Sequence, residues 1–146
     1  MKLRVAWIGK TKEAAIASLS AEYVKRIARY NPIETSELTG EPALSKIFEK
    51  PGRTAPVLVL LDARGRQFTS EEFAEFLRDQ QDRGTQELIF AVGPADGWTA
   101  ESLNRADLRL SFGKMILAHE LARIVLLEQI YRGFTILKGH PYHTGH

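Results

Sequence analysis

Val57-Leu58-Val59-Leu60-Leu61-Asp62 is the stretch on which the fold turns. Five consecutive apolar residues leave no polar face, so a strand here is buried on both sides, as central strands of parallel sheets are. Asp62 is expected to mark its carboxyl end. Parallel pairing requires crossover connections, and the flanking sequence supplies them. Downstream, Thr69-Ser70-Glu71-Glu72 has capping-box spacing and predicts a helix from Ser70 to Arg83. Leu88 to Val92 reads as a second buried strand and Gly93 to Gly97 as a turn. Thr99 then caps a helix reaching about Ala106, and Leu108 to Phe112 reads as the last strand. A periodic segment from about His119 to Leu137 predicts a long final helix, with a polar tail from Lys138.

Upstream, Lys2 to Ile8 alternates, with Leu3, Val5 and Trp7 on one face, and stops at Gly9 as a first strand. Thr11 is expected to cap a helix from Lys12 to about Tyr30, which Asn31-Pro32 ends. Ile33 to Leu38 is a further strand. Gly40, Pro42, Pro51, Gly52 and Pro56 make residues 39–56 a loop region, with one short helix around Ala43 to Glu49. Strands alternating with helices predict an α/β fold with a largely parallel sheet flanked by helices. Such sheets bind ligands outside the carboxyl ends of their strands, which selects the loops after Leu61, Val92 and Phe112.

The 146 residues, 44% of them hydrophobic, fit a single domain spanning 1–146 with a sizeable core. The absence of cysteine rules out disulfides, thiolate metal sites and a thiol nucleophile. No run approaches the roughly 18 apolar residues of a membrane span, so a cytoplasmic protein without membrane partners is expected. The formal charge of +2 permits only weak attraction to polyanions and does not by itself choose a partner.

Several familiar motifs fail on inspection. Gly9-Lys10-Thr11 ends like a phosphate-binding loop, but the required earlier glycine position holds Arg4. Gly93-Pro94-Ala95-Asp96-Gly97 lacks dinucleotide-loop spacing, and proline removes an N–H. His119-Glu120 begins like a zinc-protease helix, but the second histidine position holds Arg123. His140, His143 and His146 are spaced to chelate a metal, yet read better as a polar terminus, so no metal is expected.

Four segments taken together do carry a resemblance: Leu60 to Arg66, Val92 to Gly97, Leu110 to Arg123, and the ending His140-Pro141-Tyr142-His143. With the stretch Leu127-Glu128-Gln129-Ile130-Tyr131-Arg132-Gly133-Phe134 they resemble the ribosomal RNA large-subunit pseudouridine N3-methyltransferase family of the SPOUT superfamily. The resemblance covers essentially the whole chain. It departs from the family in two places, with Gly93-Pro94 for Gly-Gly and Ala118-His119 for Pro-His.

The resemblance implies a SPOUT-type fold whose C-terminal part is tied in a deep trefoil knot, and a homodimer. Leu126, Leu127 and Ile130 of the last helix are the candidate interface. It implies S-adenosylmethionine as methyl donor, held by Leu61, Gly93, Pro94, Gly113, Lys114, Met115, Ile116, Leu117 and Ala118, mostly through main-chain atoms. Pseudouridine methylation needs deprotonation of a ring N–H. Arg132 is expected to supply positive charge, Tyr142 a stacking ring, and His143 or His119 a proton acceptor. The substrate is expected to be ribosomal RNA, presented by the assembled ribosome. Three alternatives stand beside this reading: a knotted RNA-binding module that has lost catalysis, a small metalloprotein using the histidine tail, and a methyltransferase acting on another RNA such as transfer RNA.

Overall fold

The computed structural model describes residues 1–49 and 54–144, with side chains up to Tyr142. Pro51, Gly52 and His146 lie outside the described residues. Five strands, β1 (Lys2–Ile8), β2 (Ile33–Leu38), β3 (Val57–Gln67), β4 (Glu87–Val92) and β5 (Leu108–Ser111), form one sheet in the order β2-β1-β4-β3-β5. Every pairing is parallel. The connections carry α1 (Ala14–Ala28), α2 (Glu41–Phe48), α3 (Ser70–Asp82), α4 (Ala100–Arg105) and α5 (His119–Lys138), and a 3-10 turn (Pro141–Thr144) ends the described chain.

Strand periodicity sorts the core into two layers. Leu3, Val5, Trp7, Val59, Leu88, Phe90, Val92 and Leu110 point to one face, where Ile27 of α1, Phe73 and Leu77 of α3, and Leu126, Leu127, Ile130 and Phe134 of α5 cover them. Leu58, Leu60, Ile89 and Ala91 point to the other, beneath Leu44 of α2 and Leu103 of α4. All six residues of β4 are buried, as the central position demands.

Four expectations need correction. Leu126, Leu127 and Ile130 have no exposed surface within the single chain, so they belong to its own core and present nothing to a partner. The large apolar side chains left exposed are instead Leu19, Phe112, Met115, Ile116, Leu117 and Leu121. Thr11 does not cap α1, which starts at Ala14 without a side-chain cap. Glu120 of α5 takes over that end, its carboxylate accepting the N–H groups of Lys12 and Glu13 at 3.0 and 3.2 Å. Asp62 does not end β3. Leu110 pairs with both Leu61 and Arg66, so Asp62–Gly65 are pushed out of the ladder before pairing resumes through Gln67. The excursion needs a glycine, since a Cβ on Gly65 would lie 2.5 Å from the Arg109 carbonyl oxygen. Finally, the short helix begins at Glu41 rather than Ala43, with Pro42 in its first turn where the missing N–H is harmless.

Candidate functional site

The β3 excursion and the loops after β4 and β5 meet in one cleft of about 540 Å3 at the carboxyl edge of the sheet. Asp62, Ala63 and Arg64 of the β3 excursion form part of its lining. The Asp62 carboxylate accepts the Arg64 N–H at 3.2 Å and shapes that turn. Ser111 ties the excursion to the β5 loop: its hydroxyl lies 3.0 Å from the Ala63 carbonyl and accepts the Gly113 N–H at 3.0 Å. Leu61, Gly93, Pro94, Gly113, Met115, Ile116, Leu117 and Ala118 all line the cleft, together with His119. Lys114 does not; its side chain is exposed outside the lining. Pro94 closes a turn, its carbonyl accepting the Gly97 N–H at 3.0 Å.

Sequence reasoning missed Trp98. Its indole N–H donates to the Leu61 carbonyl at 2.9 Å, joining the β4 loop to the end of the buried part of β3. The ring lies so close over Gly93 that a Cβ there would come within 2.6 Å of it. The signal available was weak, a lone aromatic directly before the helix cap Thr99.

Beside the cleft, at the carboxyl end of β1, Arg123 is wholly buried. It donates to the Thr11 hydroxyl at 3.0 Å and to the Gly9 carbonyl at 3.3 Å, and its guanidinium lies 4.9 Å from the Trp7 ring centre. Its Nε is buried without a partner. Desolvation lowers its pKa, against the opposing pull of Glu120 and Glu37. The bonds from the Thr11 hydroxyl and N–H, and from Trp7, hold Glu37 below the ordinary carboxylate value.

The other expected catalytic residues gather elsewhere. Arg132 pairs with Glu128 at 3.2 Å, and its guanidinium lies 5.2 Å from the Tyr142 ring centre. The Tyr142 hydroxyl donates to the same Glu128 carboxylate at 2.9 Å, and its ring packs edge-on against Tyr131. Burial, the Tyr23 hydroxyl and the Glu128 carboxylate push the Tyr142 pKa upward, so this group keeps its proton and serves as donor and stacking surface. Glu128 was legible only as half of an i, i+4 pair with Arg132. His140 bonds the Tyr30 hydroxyl. The His143 side chain lies outside the described atoms, although its backbone belongs to the 3-10 turn. Tyr30 stacks on Phe134 just before β2 begins, which puts this end of α5 at the amino edge of the sheet. Arg132 is thirteen residues beyond His119, about 20 Å along the helix. One chain therefore separates its tail from its cleft. Among the described residues no group of three His, Asp or Glu is placed to hold a metal, and no helix is long and apolar enough to cross a membrane.

Comparison with known proteins gives a consistent result. The sequence profile described as "Predicted SPOUT methyltransferase" matches residues 1–143. A Koribacter versatilis protein named "Ribosomal RNA large subunit methyltransferase H" is 62% identical over 146 residues, covering 100% of both chains. A Geobacter sulfurreducens protein of the same name is 40% identical over 156 aligned positions, covering 98% of this chain and 99% of its own. The solved structure of a probable methylase family protein from Haemophilus influenzae Rd KW20 superposes with a TM-score of 0.57 at 12% identity. It covers 97% of this chain and 68% of that one, a likeness of fold alone.

Proposed function

Because this chain belongs to the SPOUT methyltransferase family, we propose that it methylates the N3 ring nitrogen of a pseudouridine in large-subunit ribosomal RNA. The reading includes a cytoplasmic homodimer, a C-terminal trefoil knot in each chain, and S-adenosylmethionine as donor. The observation that carries it is the convergence of the β3 excursion and the loops after β4 and β5 on a cleft of about 540 Å3, within the range of small-molecule sites.

The lining suits the donor. Gly97 and Gly113 have φ of +89° and +122°, and a Cβ on either would meet nothing within 4 Å, so their main chain borders open space. Pro94 has no N–H to give and its carbonyl already accepts one bond from Gly97, so main-chain donors fall to Gly93 and the 113–118 loop. When bound, S-adenosylmethionine supplies an electrophilic methyl on a sulfonium. The chain's own work is then to orient the base and take up its ring proton. Arg132, already fixed by Glu128, offers positive charge to the base as it ionises. Tyr142 offers a ring for stacking, and His143 or the cleft-lining His119 accepts the proton.

Cleft and tail lie at opposite edges of one chain, which favours a dimer in which the tail of one protomer serves the cleft of the other. Met115 and Ile116 are 87% and 89% exposed, and with Leu19 and Leu121 they supply apolar surface for such an interface. The test is transfer of labelled methyl from S-adenosylmethionine to ribosomes that lack the modification, beside protein-free ribosomal RNA. Label in large-subunit RNA, greater with assembled ribosomes, is the expected result. Cofactor binding without transfer would move the target to another RNA. No cofactor binding would leave a knotted RNA-binding module.

A further inference from the structure

Of the two tryptophans, Trp7 is sealed beneath Arg123, whereas Trp98 reaches the cleft. Two independent constraints fix the Trp98 ring. Its N–H is bound to the Leu61 carbonyl at 2.9 Å, and the pyrrole side of the ring, at Cε2, Nε1 and Cδ2, lies over Gly93 where even a methyl group does not fit. The hydrogen bond satisfies an N–H that any half-buried tryptophan must satisfy, and together with the close seat on Gly93 it holds the ring in one orientation. On its buried side the ring continues the apolar layer of Leu44, Leu58, Leu60 and Ile89. Its remaining surface, half-buried, belongs to the cleft that Met115, Ile116 and Leu117 also line.

We infer that Trp98 is the aromatic wall on which the adenine of the methyl donor stacks. This rests on the methyltransferase reading above and adds an indole to a lining whose other aromatic rings are those of Phe112 and His119. Chemistry decides which part of the donor meets the ring. The reactive methyl must face the substrate at the open side, which carries the sulfonium away from a ring that continues the buried apolar layer. A neutral purine has a π-face to match the indole. Gly93 then acts through Trp98: by lacking a Cβ it lets the ring lie flat against the strand end and leaves the slot open above it.

The test measures binding of S-adenosylhomocysteine and S-adenosylmethionine by calorimetry and by tryptophan emission, in the native chain, Trp98→Phe and Trp98→Leu. Thermal melts establish that each variant is folded. Trp98→Leu should weaken both ligands about tenfold, because base–aromatic stacking is lost. Trp98→Phe keeps a ring and should lose no more than about threefold. Native emission should change on adding either ligand or adenosine, and that change should vanish in Trp98→Phe, a readout that survives if the leucine variant does not fold. Native binding with unchanged emission and equal affinity in Trp98→Leu would overturn this inference alone. Weakening of S-adenosylmethionine but not S-adenosylhomocysteine would place the sulfonium on the ring and overturn the adenine assignment. Failure of the native chain to bind either ligand would remove the methyltransferase reading and this inference with it.

Discussion

Arg123 keeps a guanidinium out of water between the end of β1 and the start of α5, with Nε unpartnered. Burying a cation is costly unless it is paired, and here Glu37 and Glu120 only approach it while carbonyls and a hydroxyl take its protons. Its role is to fix Gly9–Thr11 against the helix whose first turn lines the cleft. Arg123→Ala leaves a large void and should destabilise by about 3–5 kcal/mol. Arg123→Met refills the volume and removes the desolvated charge, so urea unfolding should place it within about 1 kcal/mol of the native chain. An equal loss in both variants would mean that the charge, not the volume, holds the junction. Sequence reading reached Arg123 as the residue that spoils a zinc motif and as the end of a segment that carries the resemblance, with no role of its own. Its partner Thr11 lies 112 positions away, and no local pattern reports such a contact.

At the scale of elements, what is local was legible. Thr69 and Glu72 exchange the two bonds of a capping box, at 3.0 and 2.7 Å, as their spacing required. Thr69→Ala should cost about 1 kcal/mol in chemical denaturation. What depends on distant partners was not legible. The cap of α1 comes from Glu120, and the β3 excursion is stapled by Ser111, so neither end could be read from its own segment. Glu41 of α2 is a similar case, reaching across to the start of α4. Burial raises its pKa, but the Ser102 and Thr99 hydroxyls and the Thr99 N–H outweigh burial and bring it below the ordinary 4.5. A folded-state value below the unfolded one gives stability that is present above 4.5 and lost as pH falls through the lowered value. The native chain should therefore lose more stability than Glu41→Gln between about pH 5 and pH 3, measured by thermal melts. Parallel curves for the two chains would show that the α2–α4 link carries no charge-dependent stability.

For the whole molecule, the parallel sheet and the cleft at its carboxyl edge followed from the apolar runs and the strand–helix alternation. The sheet order did not, because pairing partners of fully apolar strands are interchangeable by pattern. Family resemblance singled out Arg132, Tyr142 and His143, yet one chain holds Arg132 and Tyr142 far from the cleft that Gly93 and Gly113 line. The account joins the two by placing the tail of one protomer over the cleft of another. The most direct measurement mixes two inactive chains and assays methyl transfer to ribosomes lacking the modification. One carries Gly113→Val, which a φ of +122° does not tolerate; the other carries Tyr142→Phe with His143→Ala. The account predicts that each alone is inactive and that mixed dimers recover transfer, by pairing an intact cleft with an intact tail. A mixture that forms mixed dimers and stays inactive, while the native chain methylates the same ribosomes, would contradict it.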